Sequence, residues 1–276
     1  MILKGLLVVI SGFVFIFSSG IPMSMISRFR PDYKREALYW GMGIWAVTFF
    51  VSTFLQNLIK QIVSGGQAAA GSSSILSYLT GDVVTTLLLQ LGMMIYLKKR
   101  LEKNADIESD GLALGFGIGV IAHVFTGLSE IGVGFSMLFQ KLSSSIAQGA
   151  AQAETIATVA NASFSNLLAT SLATIMFRVA LLTVSATQGY LVASAIKRKN
   201  LRFWAGVLLY LFLTWGALLL EFALGEENFG QILGVTSTLT SAIMLVFYFA
   251  VTYLTFRWLT RELQSSQPKN KSKRSK

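Results

Sequence analysis

Seven hydrophobic runs, at approximately 5 to 27, 38 to 63, 75 to 97, 111 to 138, 166 to 196, 203 to 224 and 231 to 257, take up most of this chain. Each is long enough to hold the roughly 20 apolar residues that carry a helix through the hydrocarbon core of a bilayer. Lipid offers no partner to a peptide N–H or C=O, so each run satisfies its backbone internally as a helix. Composition agrees: 53% of the residues are hydrophobic and only 13% charged, against about a quarter charged in soluble domains. The expectation is an all-α, polytopic integral membrane helical bundle of about seven transmembrane helices, in contact with the lipid bilayer.

The connections between runs alternate in character. Arg28, Arg30, Lys34 and Arg35 follow the first run, whereas the second is followed by the uncharged SGGQAAAGSSS. Lys98, Lys99, Arg100 and Lys103 follow the third, and Lys197, Arg198, Lys199 and Arg202 the fifth. The end of the chain carries Arg257, Arg261, Lys269, Lys271, Lys273, Arg274 and Lys276. Nineteen of the 23 lysines and arginines thus fall on one side. Basic residues are retained in the cytoplasm, which predicts an N-terminus outside and a C-terminus inside. The opposite loops hold Lys141 with Glu226 and Glu227.

Lys4 followed by an apolar stretch has the look of a signal peptide. The stretch is too long for such an h-region, lacks an Ala-x-Ala site and precedes four cations, so it reads as a retained helix. Residues 1-263 are expected to form the transmembrane domain, and 264-276 a disordered cytoplasmic tail that touches anionic lipid headgroups. The segment 141–165 is expected to be a weak surface helix. The net charge of +10 is accounted for by these topology clusters, and no nucleic-acid-binding module is present. Cysteine is absent, which excludes a disulfide framework, a thiolate metal site and a thiol nucleophile.

An ionisable side chain at the bilayer centre costs roughly 2.5 to 3.5 kcal/mol on insertion scales, so each needs a partner, a water-filled cavity or a neutral state. Asp82 in the third run, His123 and Glu130 in the fourth and Arg178 in the fifth qualify, with Glu221 of the sixth nearer the outer boundary. Asp82, Thr85, Thr86 and Gln90 fall within an arc of about 140° of one helix. Ser171, Thr174, Arg178 and Ser185 share about 60° of another, with Gln188 at its edge. His123 and Glu130 point the same way, about 10 Å apart along the axis, and so line one cavity rather than chelate one ion. Tyr210, Thr214 and Glu221 repeat the pattern. A buried network, with Arg178 neutralised by Asp82 or Glu130, is one reading. A proton-coupled or substrate path is the other, since three acids against one arginine leave a negative excess. No metal or cofactor is expected: His123 is the only histidine, and zinc would need carboxylates from other helices.

Gly111, Gly115, Gly119, His123 and Gly127 recur every fourth residue, forming a small-residue ridge suited to close helix packing. At this ridge the chain resembles the YhfC family of intramembrane metalloproteases, distant relatives of the CAAX-type membrane peptidases, in order and layout over most of its length. The third run reads GDVVTTLLLQLGMMIYLKKRLEK and the fourth opens ALGFGIGVIAHVF; Gly81, Gly115, Gly117 and Gly119 match the glycines of the family pattern. The resemblance implies a zinc-bound water attacking a peptide bond, with a glutamate as base. The residues for that chemistry differ. Val84 and Thr85 stand where paired glutamates belong, Leu89 for an arginine, Ile118 for a histidine and Ala122 for a glutamate. Arg178 is kept, with Phe177 in place of its neighbouring acid and Ser185 near a histidine position.

The reading from sequence is therefore a noncatalytic, pseudoprotease-like YhfC relative in a bacterial plasma membrane. Its expected role is that of scaffold, accessory subunit or binder of a transmembrane helix of another membrane protein. Two alternatives stand beside it: a proton-linked carrier using Asp82, Glu130 and Arg178, and a live metallopeptidase with displaced ligands centred on His123.

Overall fold

A computed structural model describes residues 2–18, 20, 24, 35–63, 75–103, 106–139, 150–225 and 235–265. Among these the chain is helical and forms no strand. The helices are α1 (Ile2–Ser18), α2 (Arg35–Val63), α3 (Ile75–Leu101), α4 (Ile107–Leu138), α5 (Ala150–Asn161), α6 (Phe164–Arg198), α7 (Arg202–Ala223) and α8 (Thr238–Ser265).

Six of them, α2, α3, α4, α6, α7 and α8, are long and apolar enough to cross a membrane, while α1 is a shorter apolar helix of 17 residues. Their outer surface is the wrong kind for water: Phe50, Phe54, Leu208, Phe212, Val246 and Phe249 are all at least 60% exposed. Contiguous apolar surface on that scale is covered by lipid tails, and the chain is a multi-pass α-helical membrane bundle. The weak helix expected over 141–165 is present in its second half as α5; residues 140–149 lie outside the described part. Thr238–Ser265 begins and ends later than the run at 231 to 257, taking Arg257, Arg261 and Gln264 into the helix. The charged heads on this last stretch stand in water while their stems cover apolar surface. The tail beyond Ser265 lies outside the described residues.

α4 and α6 are the two longest helices, at 32 and 35 residues, or roughly 50 Å each at 1.5 Å per residue. They form the centre, and glycines set how closely they pack. A methyl group on Gly115 would fall on the Ser185 carbonyl, one on Gly189 on the Gly111 carbonyl, and one on Gly119 would meet Leu182 Cδ1 at 2.6 Å. The same helix turns other glycines to other neighbours. Gly117 abuts the Leu38 carbonyl of α2, while Gly127 and Gly134 lie against Gly12 and Gly5 of α1. α4 is thus wrapped on three sides at backbone contact, where dispersion and Cα–H···O contacts replace a hydrophobic drive that lipid does not supply. The ridge at Gly111, Gly115, Gly119 and Gly127 is covered from within the chain.

The ends of the bundle are polar. At one end Arg100 donates through Nε to Asp110 (2.9 Å) and lies 3.6 Å from Glu36. There Lys197 and Arg198 grip Glu108 at 3.0 and 3.3 Å, and Arg202 reaches Glu262 at 3.2 Å. These pairs tie α2, α3, α4, α6, α7 and α8 into a collar that gathers the described basic clusters at one end. Asp110 is buried, so Asp110→Ala leaves the Arg100 guanidinium only the exposed and more distant Glu36. Loss of a hydrogen bond to a charged group is expected to cost about 2 kcal/mol, read as a lower midpoint of thermal unfolding in detergent; an unchanged midpoint would mean the collar is only a surface decoration.

At the other end Lys4 Nζ donates to the Ala160 and Ala162 carbonyls, each at 2.6 Å, and so caps the C-terminus of α5 from α1. A cation there answers both the orphan carbonyls and the helix dipole. Ser163 caps α6 by accepting from the Asn166 N–H. Thr170, Thr236 and Ser241 share hydroxyl contacts of 2.7 to 3.3 Å that bind α6 to the start of α8. Lys4→Met is expected to raise amide exchange across 150–161 about tenfold, the equivalent of ~1.4 kcal/mol of lost local stability. Unaltered exchange in α5 would show that Lys4 does not hold it.

Candidate intramembrane polar site

Arg178 stands midway along α6, where four other helices bring polar groups towards it. It lies within electrostatic reach of Glu130 of α4, Tyr210 of α7 and Tyr248 of α8. Beyond Tyr210 comes Asp82 of α3, with the Thr214 hydroxyl beside that carboxyl. Glu221 lies towards Tyr248. The Phe177 ring supports the guanidinium at 5.3 Å and itself packs against Tyr248 at 5.1 Å, an aromatic setting that favours a cation over open hydrocarbon.

These groups approach without closing on one another. Glu130 is fully buried, yet neither of its oxygens has a hydrogen-bond partner, and Nε of Arg178 also has none. The Ser11 hydroxyl of α1 is close enough to polarise Glu130 but does not bond it with good geometry. Arg178, Asp82 and Tyr210 are half-buried. Of the two acids that the sequence offered to Arg178, Glu130 is the one that interacts with it electrostatically, while Asp82 interacts with Tyr210.

His123 is fully buried and donates from Nδ1 to the Gly119 carbonyl at 2.7 Å, the acceptor one turn back on its own helix. In the neutral ring this leaves the lone pair on Nε2, which faces the α6 backbone near Arg178 without a hydrogen bond. Thr86 donates to the Asp82 carbonyl at 2.7 Å and is committed to its own helix, whereas Thr85 is half-buried. Gln90 lies apart from the cluster, fully buried against Gly206 of α7, with neither end of its amide partnered. Gln188 donates to the Gly206 carbonyl at 3.1 Å. Ser185 serves the α4–α6 crossing and lies under Gly115. Ser11 and Tyr248 are members that the sequence reading missed. Each is a lone polar residue in an apolar stretch, so no stripe marks it.

The zinc that the family resemblance implies does not fit this donor set. Val84, Leu89, Ile118, Ala122 and Phe177 offer no ligand atom, and Ile118 and Ala122 are packed in the core. Among the described residues no three of His, Asp and Glu come together as a metal-holding group.

Fold and site together define a multi-pass α-helical membrane protein with an acid–guanidinium centre inside the bundle. No family model, curated protein or solved structure matches the chain.

Proposed function

We propose that this protein is a proton-linked membrane carrier for a small polar solute bearing an anionic group. What carries the reading is Glu130, a fully buried carboxyl with both oxygens unpartnered although a guanidinium lies within electrostatic reach. A structural ion pair would close, because leaving either charge unmet inside the membrane costs several kcal/mol. Groups held near one another but apart leave room for a third participant. The anionic group of the solute would sit on Arg178, a rigid fork matched to carboxylate or phosphate, and Glu130 would take a donor or a proton. Asp82, Tyr210 and Thr214 mark the way to the centre from α3 and α7. The described spans are unbroken, so access would change by tilting of whole helices about the glycine-packed α4–α6 pair.

Docking of a partner helix on the Gly111–Gly127 ridge is not supported, since α1 and α6 already occupy it. The likeness to the YhfC family enters this reading as architecture without the hydrolytic chemistry. A bacterial plasma membrane, with the ion-paired end in the cytoplasm, follows from the retention of basic residues on the inner side. The basic tail would rest on anionic headgroups there.

The test is a thermal-unfolding panel on the purified protein with monocarboxylates, inorganic phosphate and zwitterionic amino acids. Binding stabilises in proportion to the logarithm of ligand over Kd. At least one anionic class is expected to raise the midpoint in the unchanged protein and fail to do so in Arg178→Gln. No shift with any class, or a shift that survives Arg178→Gln, would overturn the carrier reading.

A further inference from the structure

A cleft lies at the ion-paired end of the bundle, away from the polar centre, between the outer faces of α2 and α3. Its volume is 640 Å³, within the range of small-molecule sites. Val47, Val51, Leu88, Leu91 and Ile95 make its walls apolar, and Gly43 and Gly92 hollow them out. The mouth changes character. Lys99, Arg100 and Lys103 stand there beside Tyr96 and Trp40, with Glu36 as the one acid among the lining residues. Arg100 already holds Asp110 and Glu36, so Lys99 and Lys103 carry the excess positive charge.

We propose that this cleft is a binding site for one phospholipid with an anionic headgroup, its phosphate at Lys99 and Lys103 and an acyl chain between α2 and α3. The apolar walls match a hydrocarbon tail and open sideways into the bilayer, where such a tail already is. The cationic mouth selects the headgroup: a cation near a membrane surface contributes ~1 kcal/mol towards anionic lipid, about fivefold in partition. The ammonium groups of Lys99 and Lys103, both on exposed residues, supply the charge-assisted donors that a phosphate oxygen accepts. The aromatic pair Trp40–Tyr96, with ring centroids 5.7 Å apart, sits where amphipathic rings meet the headgroup layer.

The experiment uses the full chain in phosphatidylcholine vesicles carrying a minor share of either dibrominated phosphatidylglycerol or dibrominated phosphatidylcholine. Quenching of Trp40 is read as the difference from Trp40→Phe. The anionic lipid is expected to quench about fivefold more steeply, matching the partition given by one cation. Two variants should each remove that preference. Lys99→Gln with Lys103→Gln takes away the headgroup contact. Gly43→Leu narrows the cleft, and the first side-chain carbon at Gly43 would meet no atom within 4 Å, so the helix backbone is kept. Equal quenching by both lipids in the unchanged chain overturns the proposal. Loss of the preference in the lysine variant but not in Gly43→Leu also overturns it, since that result describes attraction at the surface and no seat between the helices.

Discussion

Gly115→Leu is expected to yield almost no monodisperse protein. The first carbon of the new side chain falls on the Ser185 carbonyl, and both atoms belong to the backbones of the two central helices. Overfilling a core ordinarily costs about 1 to 3 kcal/mol because side chains shift. Here the α4–α6 crossing itself has to open, loosening the nearby contacts at Gly111, Gly119 and Gly189, so the cost should exceed about 4 kcal/mol, near the whole stability of a marginal protein. Gly132→Leu on the same helix is the control, because a side chain there meets nothing within 4 Å. Size-exclusion profiles of fluorescently tagged protein in mild detergent compare the two. A sharp monomer peak for both would mean that α4 and α6 do not meet at Gly115.

Arg178→Gln is expected to weaken solute binding about tenfold to a hundredfold, since charge-assisted hydrogen bonds are worth about 1.5 to 3 kcal/mol and each 1.4 kcal/mol is a factor of ten. Its effect on unfolding should be small, within about 1 kcal/mol, because among the described residues Arg178 closes no ion pair and its Nε makes no hydrogen bond. The contrast with a structural ion pair is large: removing one partner of a closed buried pair costs about 3 to 5 kcal/mol. Glu130→Gln keeps the shape and removes the charge, and is expected to uncouple binding from pH while leaving the solute bound. Isothermal titration at two pH values, beside thermal unfolding, separates these outcomes. Strong destabilisation by Arg178→Gln that Glu130→Gln rescues would make the centre a structural pair.

The helical membrane architecture was legible because hydrophobic run length and the placement of basic residues are properties of single segments. The inward position of Arg178 was legible too, as it shares a narrow arc with Ser171, Thr174 and Ser185. Partnership was not. Whether Asp82 or Glu130 meets Arg178 depends on how α3, α4 and α6 cross, and helical periodicity within one segment is silent on that. Tyr248 and Ser11 escaped for the same reason, each being the only side chain its helix brings to the centre. The collar was overlooked because Glu36, Glu108, Asp110 and Glu262 lie within or beside basic clusters, where counting charges for topology hides the acids that pair with them. The glycine ridge was visible, but its neighbours were not. A stripe of small residues signals close approach without saying whether the approaching helix belongs to the same chain.

A carrier of this kind needs Arg178 to border a hydrated cleft rather than a dry core, and thiol accessibility distinguishes the two. The chain contains no cysteine, so each introduced thiol is unique. Arg178→Cys is treated in liposomes with a hydrophilic, cationic methanethiosulfonate, beside Leu213→Cys, at a fully buried position, and Phe212→Cys, at one 60% exposed on the apolar surface. Arg178→Cys is expected to be modified while both controls resist, lipid shielding one and packing the other. If Arg178→Cys reacts no faster than Leu213→Cys, the centre is dry and the proposed carrier has no path through it.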